Sequence, residues 1–335
     1  MSIKIIDDRV IWDSFVDSCP DRLLFFSWDF LKIIEKHSGF KLLPYGIYDP
    51  KKNSLMCIFP LYLYKKFGMK FLFSQPPSSA IPYIGFLSAP EFYSLKQRQK
   101  ERDLSRIVKE ITGETRRIAP NFISLSFGPY VKDVRQFLWD DFGTDINYSY
   151  IIDLTLPLDT LWNLFDQDCR REIRSAEKLN LSLQETTDTK TFCSIMENRY
   201  LQQGLKFPFF GYEYLNDILS TFPTNVKMYF LRHDDKIIDL VTTYEYNGRK
   251  AFWIGMVNLD KNIHGNEFLT WSFIKAAKLE GLNLLELGGA NTERLCLFKS
   301  KFNPAIEQSY SVYKNDLIGK VTKFLYQKYV KRKIF

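Results

Sequence analysis

The most constraining feature of this sequence is a glycine pair that separates a short apolar run from a charged segment. Residues 284–291 are Leu-Leu-Glu-Leu-Gly-Gly-Ala-Asn, and residues 292–302 continue as Thr-Glu-Arg-Leu-Cys-Leu-Phe-Lys-Ser-Lys-Phe. This order predicts a strand, a turn and a helix, because glycine adopts positive φ and allows close approach to its backbone. Peptide NH groups at a helix start attract a phosphate or carbonyl oxygen. Many αβ connections use glycine only to turn, so the motif by itself is weak evidence for a site.

The rest of the chain predicts alternating strands and helices. In the second half, residues 253–258 predict a buried strand and residues 264–278 a helix that Gly281 ends. Further helices are predicted at 9–16, 28–37, 95–117, 131–139, 158–178, 189–205 and 212–222. Further strands are predicted at 41–48, 54–65, 70–73, 121–127, 147–154, 182–185, 227–232, 237–246 and 249–257. The two halves share a plan of helices followed by antiparallel strands, which suggests a structural duplication.

Length and charge indicate a folded protein without a general nucleic-acid surface. The chain has 335 residues, of which 16% are aromatic, enough for two ordinary domains or one large one. The net charge of +7 is concentrated at the C-terminal end, where residues 314–335 hold seven Lys or Arg and one Asp. The remaining 39 basic and 38 acidic residues nearly cancel, so the body of the protein lacks the electrostatic pattern of a polyanion binder.

Cysteine and histidine usage argues against disulfides and against a metal site. Five cysteines without paired spacing are typical of a reducing compartment, and only three histidines occur. We therefore expect no metal in the reaction. Charged residues between positions 4 and 9 disfavour a signal peptide, and four prolines disfavour a membrane helix at 71–90. These features predict a cytoplasmic protein.

A basic helix face precedes the glycine motif. Arg170, Arg171, Arg174 and Lys178 fall within about 100° of a helical wheel, opposite Ile173. The face is either a solvated surface or a site for the phosphates of a donor, which arginine forks bind bidentately.

Lys299 follows Phe298 on the helix after the glycines. An ammonium group there could stabilise an oxyanion during acyl transfer, although lysines are more often solvated.

Cys169 next to two arginines could have a lowered thiol pKa, but a buried structural cysteine is the favoured interpretation. His264 is given no role.

The C-terminal segment 316–335 predicts a basic amphipathic helix. Its apolar stripe is Ile318, Val321, Leu325 and Tyr329, and lysines 320, 323, 328 and 331 lie opposite. Such a helix either covers the core or lies on an anionic membrane surface. We expect docking on the fold, with peripheral contact to the inner face of the membrane as the alternative.

Several of these segments resemble the FemABX-like aminoacyltransferases and their relatives in the GNAT acyltransferase superfamily, including BioF-like acetyltransferase domains. The match is clearest across 161–313, and residues 23–90 add a weaker likeness. The matching motifs are residues 170–178, 248–250, 266–271, 285–289 and 297–302.

The resemblance implies an α/β (α+β) fold of two GNAT-like domains, each a mixed, mostly antiparallel sheet flanked by helices. Residues 1–149 would form the acceptor side and residues 150–315 the acyl-donor side, followed by the helix at 316–335. It implies transfer of an acyl or aminoacyl group from acyl-CoA or aminoacyl-tRNA, as co-substrate, to an amine in peptidoglycan, cell-envelope or polysaccharide synthesis. No tightly bound cofactor is implied, and tRNA is a partner only if it is the donor.

The resemblance also implies roles for individual residues. Phe298 and Lys299 would be catalytic. The donor would be bound by Arg170, Arg171, Arg174, Asn266, Gly288 and Gly289, and the acceptor by Trp28, Lys32 and Tyr212. The nearly neutral body favours a small donor, because tRNA binding uses many phosphate contacts. The alternative is a non-catalytic, degenerate GNAT fold that binds an envelope precursor or a membrane surface.

Overall fold

The computed structural model describes residues 2–316. Of the predicted C-terminal helix, only Asp316 lies within this part, so that prediction falls outside the described residues. The chain divides into two compact units. Unit 1 contains residues 2–146, 208–210 and 309–316, and unit 2 contains Asn147–Phe207 and Gly211–Gln308.

The chain forms its elements in the predicted alternation. The first are β1 (Ser2–Ile5), α1 (Arg9–Ser18), α2 (Trp28–Ser38), β2 (Lys41–Tyr48), β3 (Leu55–Lys66), β4 (Met69–Phe73), β5 (Leu87–Ser88), α3 (Glu91–Ser94), α4 (Gln97–Ile118), β6 (Phe122–Ser126) and α5 (Arg135–Leu138). They are followed by β7 (Gly143–Asp153), α6 (Leu158–Leu164), α7 (Gln167–Glu177), β8 (Leu181–Glu185), α8 (Thr189–Leu201), α9 (Tyr212–Thr221), β9 (Val226–His233), β10 (Lys236–Tyr246), β11 (Arg249–Gly255), α10 (Gly265–Leu279), β12 (Leu284–Gly289), α11 (Glu293–Ser300) and β13 (Ala305–Asn315).

Unit 1 is built on a sheet in the order β1-β2-β3-β4-β6-β13, with β5 also paired to β3. The β4–β6 pair is parallel and the other pairs are antiparallel. Helix α4 packs on this sheet through Leu104, Ile107, Val108 and Ile111, which recur at the three- and four-residue spacing of one helix face. Helices α1 and α2 contribute Trp12, Phe30 and Ile34 to the core.

Unit 2 repeats this arrangement with the order β7-β12-β11-β10-β9-β8. Here the β11–β12 pair is parallel and its neighbours are antiparallel. Helices α7 and α10 pack in its core through residues that include Cys169, Ile173, Leu269 and Ile274. Each unit is therefore a mixed, mostly antiparallel sheet flanked by helices, which confirms the predicted fold class.

Two predicted helices differ most from the structure, besides the helix predicted at 189–205, which ends at Leu201. The helix predicted at 158–178 is broken between α6 and α7, where Phe165 and Asp166 have extended backbone. Phe165 is buried and lies against Trp271 and Phe302, so tertiary packing overrides helix propensity there. The helix predicted at 131–139 is confined to α5.

The uncharged stretch 71–90 is not helical. It contains the end of β4, an irregular segment and β5. Within residues 2–316, none of the helices is both long enough and apolar enough to cross a bilayer.

Candidate active site

Two parallel strands separate at the predicted glycine motif. β11 and β12 pair only from Arg249↔Leu284 to Ala251↔Glu286, although β11 continues to Gly255 and β12 to Gly289. On its other side β12 keeps its antiparallel partner, and Gly289 lies opposite Ser149 of β7. Beyond Ala251 and Glu286 the facing edges of the two strands are therefore no longer paired with each other.

Glycine is required on both sides of this opening. Gly255 has a φ of +114°, and a Cβ there would lie 2.4 Å from the carbonyl oxygen of Leu240, closer than any side chain permits. Gly288 has a φ of +77°, and a Cβ there would lie 3.7 Å from Nζ of Lys299. The positive φ is what requires glycine at position 288, because a Cβ there would only be in ordinary contact with Nζ of Lys299 and with the carbonyl oxygen of Phe252 at 3.5 Å.

Lys299 lies beside Gly288. Its Nζ donates a hydrogen bond to the carbonyl oxygen of Gly289 at 2.9 Å. Burial lowers the pKa of Lys299 to about 8, and the carboxylate of Glu286 partly opposes this shift. The ammonium is thus partly dehydrated. Its hydrogen-bond acceptor, the carbonyl oxygen of Gly289, carries no net charge.

Phe298 and the residues after Lys299 attach α11 to the core of unit 2. Phe302 is 1% exposed, and its ring centroid lies 5.3 Å from Phe165 and 5.8 Å from Phe298. The Nζ of Lys301 lies 4.8 Å from the centroid of Phe298, a cation–π distance. None of the residues of α11 itself is buried, so these contacts fix its position.

Sequence reasoning missed the ion pairs of Lys301. Its ammonium binds Oε2 of Glu172 on α7 at 2.7 Å and also binds Oε1 of Glu267 on α10. Burial alone would lower the pKa of Lys301, but the hydrogen bonds to the two carboxylates raise it. Nδ1 of His264 lies 4.0 Å from Oε1 of Glu172. Glu172, His264 and Glu267 have metal-ligand spacing, yet the ammonium already contacts both carboxylates.

A second buried ion pair lies on β12. Glu286 is 3% exposed, and its Oε2 accepts hydrogen bonds from Nε and Nη2 of Arg249 at 3.0 and 2.7 Å. Nη2 of Arg249 also binds Oε2 of Glu307 at 2.6 Å. A lone acidic residue inside the apolar run 284–289 was the signal in the sequence that could have revealed this pair.

The three arginines predicted to bind the donor have partners within unit 2. Nη1 of Arg170 donates to the carbonyl oxygens of Asn163 at 3.0 Å and Phe165 at 2.6 Å, which satisfies the end of α6. Arg171 pairs with Asp168 at 3.0 Å, and Arg174 lies 5.4 Å from the ring centroid of Trp162. Their role in donor binding stays a prediction.

Asn266 lies in the first turn of α10. Its buried Oδ1 accepts no hydrogen bond among the described residues. Lys301 connects this turn to α11 through Glu267, the next residue along α10. Donor binding by Asn266 stays a prediction, as it does for Gly288 and Gly289.

The residues predicted to bind the acceptor belong to different units. In unit 1, Trp28 packs against Trp12 at 6.0 Å between ring centroids, and Lys32 forms an ion pair with Glu35. In unit 2, Tyr212 is 40% exposed and lies under Nζ of Lys190. Their acceptor role stays a prediction.

Burial determines the state of the Cys169 thiol. Cys169 is fully buried, and burial raises the pKa of its thiol to about 12, so the alternative of a reactive thiolate is wrong. Tyr150 of β7 interacts with the thiol of Cys296 on α11 beside the glycine motif, and burial and this interaction raise the pKa of Tyr150.

Comparison with known proteins places this site within a known type of domain. Residues 165–299, which include the opening and Lys299, match the family model of the acetyltransferase (GNAT) domain. The comparison with curated proteins gives no match.

Solved structures extend the likeness to nearly the whole chain. The structure described as FemX is 12% identical with a TM-score of 0.64, over 98% of this chain and 100% of that one. L-PGS from Bacillus licheniformis is 12% identical with a TM-score of 0.57, over 98% of each chain. A tandem GNAT protein from the clavulanic acid biosynthesis pathway is 10% identical with a TM-score of 0.54, over 93% of this chain and 98% of that one. Residues 165–299 therefore match the model of a GNAT domain, and the whole chain has a fold similar to those of FemX, L-PGS and the tandem GNAT protein.

Proposed function

We propose that this protein is an N-acyltransferase that moves an acyl or aminoacyl group from an activated donor to an amine. The observation that carries the proposal is the position of Lys299. Its ammonium is partly buried, bound to the carbonyl oxygen of Gly289, and adjacent to a glycine at the point where two parallel strands diverge. A donor carbonyl placed in this opening would meet a positive charge of high local strength.

The chemistry needs no covalent enzyme intermediate. The acceptor nitrogen attacks the donor carbonyl, which forms a C–N bond and a tetrahedral oxyanion. The ammonium of Lys299 stabilises that negative charge, because a fixed cation in a partly dehydrated site interacts more strongly than one in water. Collapse of the intermediate breaks the C–S or C–O bond of the donor. The nitrogen loses its proton, and the departing thiolate or alkoxide is protonated.

An acyl-CoA donor agrees best with the charge distribution. The protein outside residues 314–335 is nearly neutral, and the three arginines of α7 already have partners inside unit 2. A tRNA donor would require many free cations. Similarity in fold to FemX and L-PGS favours an acceptor in the cell envelope and a cytoplasmic protein.

The test is a donor screen followed by transfer assays. Acyl-CoA thioesters and aminoacyl-tRNAs are added separately, and the melting temperature is measured, because a ligand of the native state raises it. Transfer to a panel of amino sugars and peptides is then followed with the stabilising donor. Lys299→Met should lower kcat at least about a hundredfold, the usual effect of removing one oxyanion donor.

The matched control is Lys236→Met, because Lys236 is an exposed lysine at the start of β10 in the same unit. It should leave kcat unchanged. If no donor stabilises the protein, or if Lys299→Met transfers as fast as the wild type, the proposal is wrong. Absence of any donor effect would favour the non-catalytic alternative.

A further inference from the structure

We propose that the hairpin between β3 and β4 in unit 1 is a contact site for an anionic lipid bilayer. The tip of this hairpin is the sequence Lys65-Lys66-Phe67-Gly68-Met69, with Lys66 paired to Met69 across a two-residue turn. An aromatic side chain flanked by lysines combines the two interactions that hold proteins at membrane surfaces, apolar insertion and attraction to anionic headgroups. The proposal does not depend on the proposed enzymatic function.

Phe67 is unusual in both its exposure and its backbone. It is 87% exposed, more than any other large apolar side chain in the described residues. Its φ is +50° and that of Gly68 is +76°, the pattern of a type I′ hairpin turn. Positive φ is strained for a bulky residue, and that turn favours asparagine or aspartate. Folding does not account for a strained phenylalanine that contacts so little of the protein.

The same chain contains an ordinary version of this turn. The hairpin between β10 and β11 also has a two-residue loop, between Tyr246 and Arg249, with φ values of +55° and +75°. Its residues are Asn247 and Gly248, the preferred pair for this geometry. Phe67 therefore stands where a polar residue would form the same turn without strain and without exposing apolar surface.

The hairpin tip is positively charged. Lys41, Lys65 and Lys66 are exposed and have no carboxylate partner among the described residues, and Nζ of Lys66 lies 5.4 Å from the ring centroid of Phe67. The register places Lys41 opposite Leu63, near the same end of the sheet. The arginines at the end of α4 are neutralised, Arg116 by Asp140 and Arg117 by Glu114.

Aromatic side chains continue from the tip toward the core. Tyr64 stacks on Phe40 with 4.7 Å between ring centroids, and Phe40 meets Phe73 edge-on at 5.8 Å. Tyr64 and Phe40 are half-buried. Aromatic rings of this kind suit the boundary between headgroups and water.

The described chain ends at the same edge. The backbone N of Lys70 donates to Oδ1 of Asn121, and Nδ2 of Asn121 donates to Oδ2 of Asp316 at 2.8 Å. Residues 317–335 follow Asp316 in the sequence and contain six basic and no acidic residues. The lysines of the hairpin and the positive charge of this sequence both favour an anionic membrane as the occupant.

The experiment is co-sedimentation of the full chain with vesicles of phosphatidylcholine alone or mixed equally with phosphatidylglycerol. The wild type should bind the anionic vesicles, and more weakly at high salt. Phe67→Asn should lower the partition coefficient about tenfold through lost apolar burial, while its melting temperature stays equal or rises. Misfolding therefore cannot explain the loss. Leu279→Asn removes an 86% exposed leucine from unit 2 and should not change binding.

Charge reversal supplies the second comparison. Lys65→Glu with Lys66→Glu should weaken binding by roughly fivefold or more for each lysine. The matched control is Lys51→Glu with Lys52→Glu, which changes the same charge at the turn between β2 and β3. If the wild type does not bind anionic vesicles, or if Phe67→Asn binds as well as Leu279→Asn, the proposal is overturned. Binding of tRNA that depends on the lysines but not on Phe67 would also overturn it, in favour of a nucleic-acid surface.

Discussion

Lys299 and Lys301 are only two residues apart in the sequence, but their ammonium groups have different surroundings. Lys301 lies between the carboxylates of Glu172 and Glu267, and its pKa is raised. Lys299 has a backbone carbonyl as its hydrogen-bond acceptor, and burial lowers its pKa to about 8. The ammonium of Lys301 therefore links three elements of the fold, whereas that of Lys299 has no carboxylate within ion-pair distance among the described residues.

The difference shows how a short exposed helix can present a reactive group. Helix α11 has eight residues and none is buried, so its own packing contributes little. The ion pairs of Lys301 and the buried ring of Phe302 fix its C-terminal end, and Lys299 is positioned as a consequence. A partly dehydrated ammonium whose hydrogen bond is to a neutral carbonyl is costly, and it persists here where the two strands diverge.

Removing Lys301 should produce the largest loss of stability. Lys301→Met leaves Glu267 buried without its cation, and breaking a buried pair in this way typically costs about 3–5 kcal/mol of unfolding free energy. Urea unfolding at neutral pH measures the loss. The double variant Lys301→Met with Glu267→Gln should recover part of it, and Lys301→Arg most of it.

The unfolding free energy of Lys299→Met is to be compared with that of Lys301→Met. Lys299→Met should change the unfolding free energy by no more than about 1 kcal/mol, or raise it, because a dehydrated ammonium is replaced by an apolar group of similar length. Equal destabilisation by the two variants would show that both lysines serve the fold, and the distinction between them would fail.

Asp239 extends the comparison from the ammonium of Lys299 to a carboxyl group, which becomes negative when it is ionised. It is fully buried, its Oδ1 accepts from the backbone N of Leu240 and Val257, and burial raises its pKa from 3.8 to about 7. The folded state therefore holds this proton more tightly than the unfolded state. The stability that this group contributes is complete below about pH 4 and is lost as the pH rises through 7.

Asp239→Asn should remove that dependence. The variant should be more stable than the wild type by about 4 kcal/mol at pH 8, and the gain should vanish below about pH 4. Urea unfolding across this pH range measures it. Asp153→Asn is the control, because hydrogen bonds from Thr155 lower the pKa of exposed Asp153 and no gain is expected at pH 8. A constant difference between Asp239→Asn and wild type across the range would contradict the account.

Sequence patterns predicted the fold better than they predicted the surroundings of the site. Period-two and helical patterns gave most strands and helices but not the short elements β1, β5 and α3, and glycine chemistry located the motif at Gly288 and Gly289. The break at Phe165 carried no glycine or proline signal, because it results from packing against Trp271 and Phe302. A local pattern contains no information about contacts made across a hundred residues.

The partners of the charged residues were not predictable for the same reason. The helical wheel placed Arg170, Arg171 and Arg174 on one face, but it could not show that Arg170 turns back to the end of α6. It also could not show that Lys301, rather than Lys299, would meet the carboxylates of α7 and α10. Spacing identifies a face, and only the tertiary structure identifies what that face contacts.

The most direct test of the account is the pKa of Lys299, measured by competitive chemical labelling across pH with mass spectrometry, with Lys236 as the exposed reference in the same digest. We expect Lys299 to titrate at about 8. We also expect a bound donor to change the rate at which the amine of Lys299 is labelled. Titration near 10.5, the ordinary value for lysine, with no response to any donor, would show a hydrated surface ammonium and would contradict the proposed site.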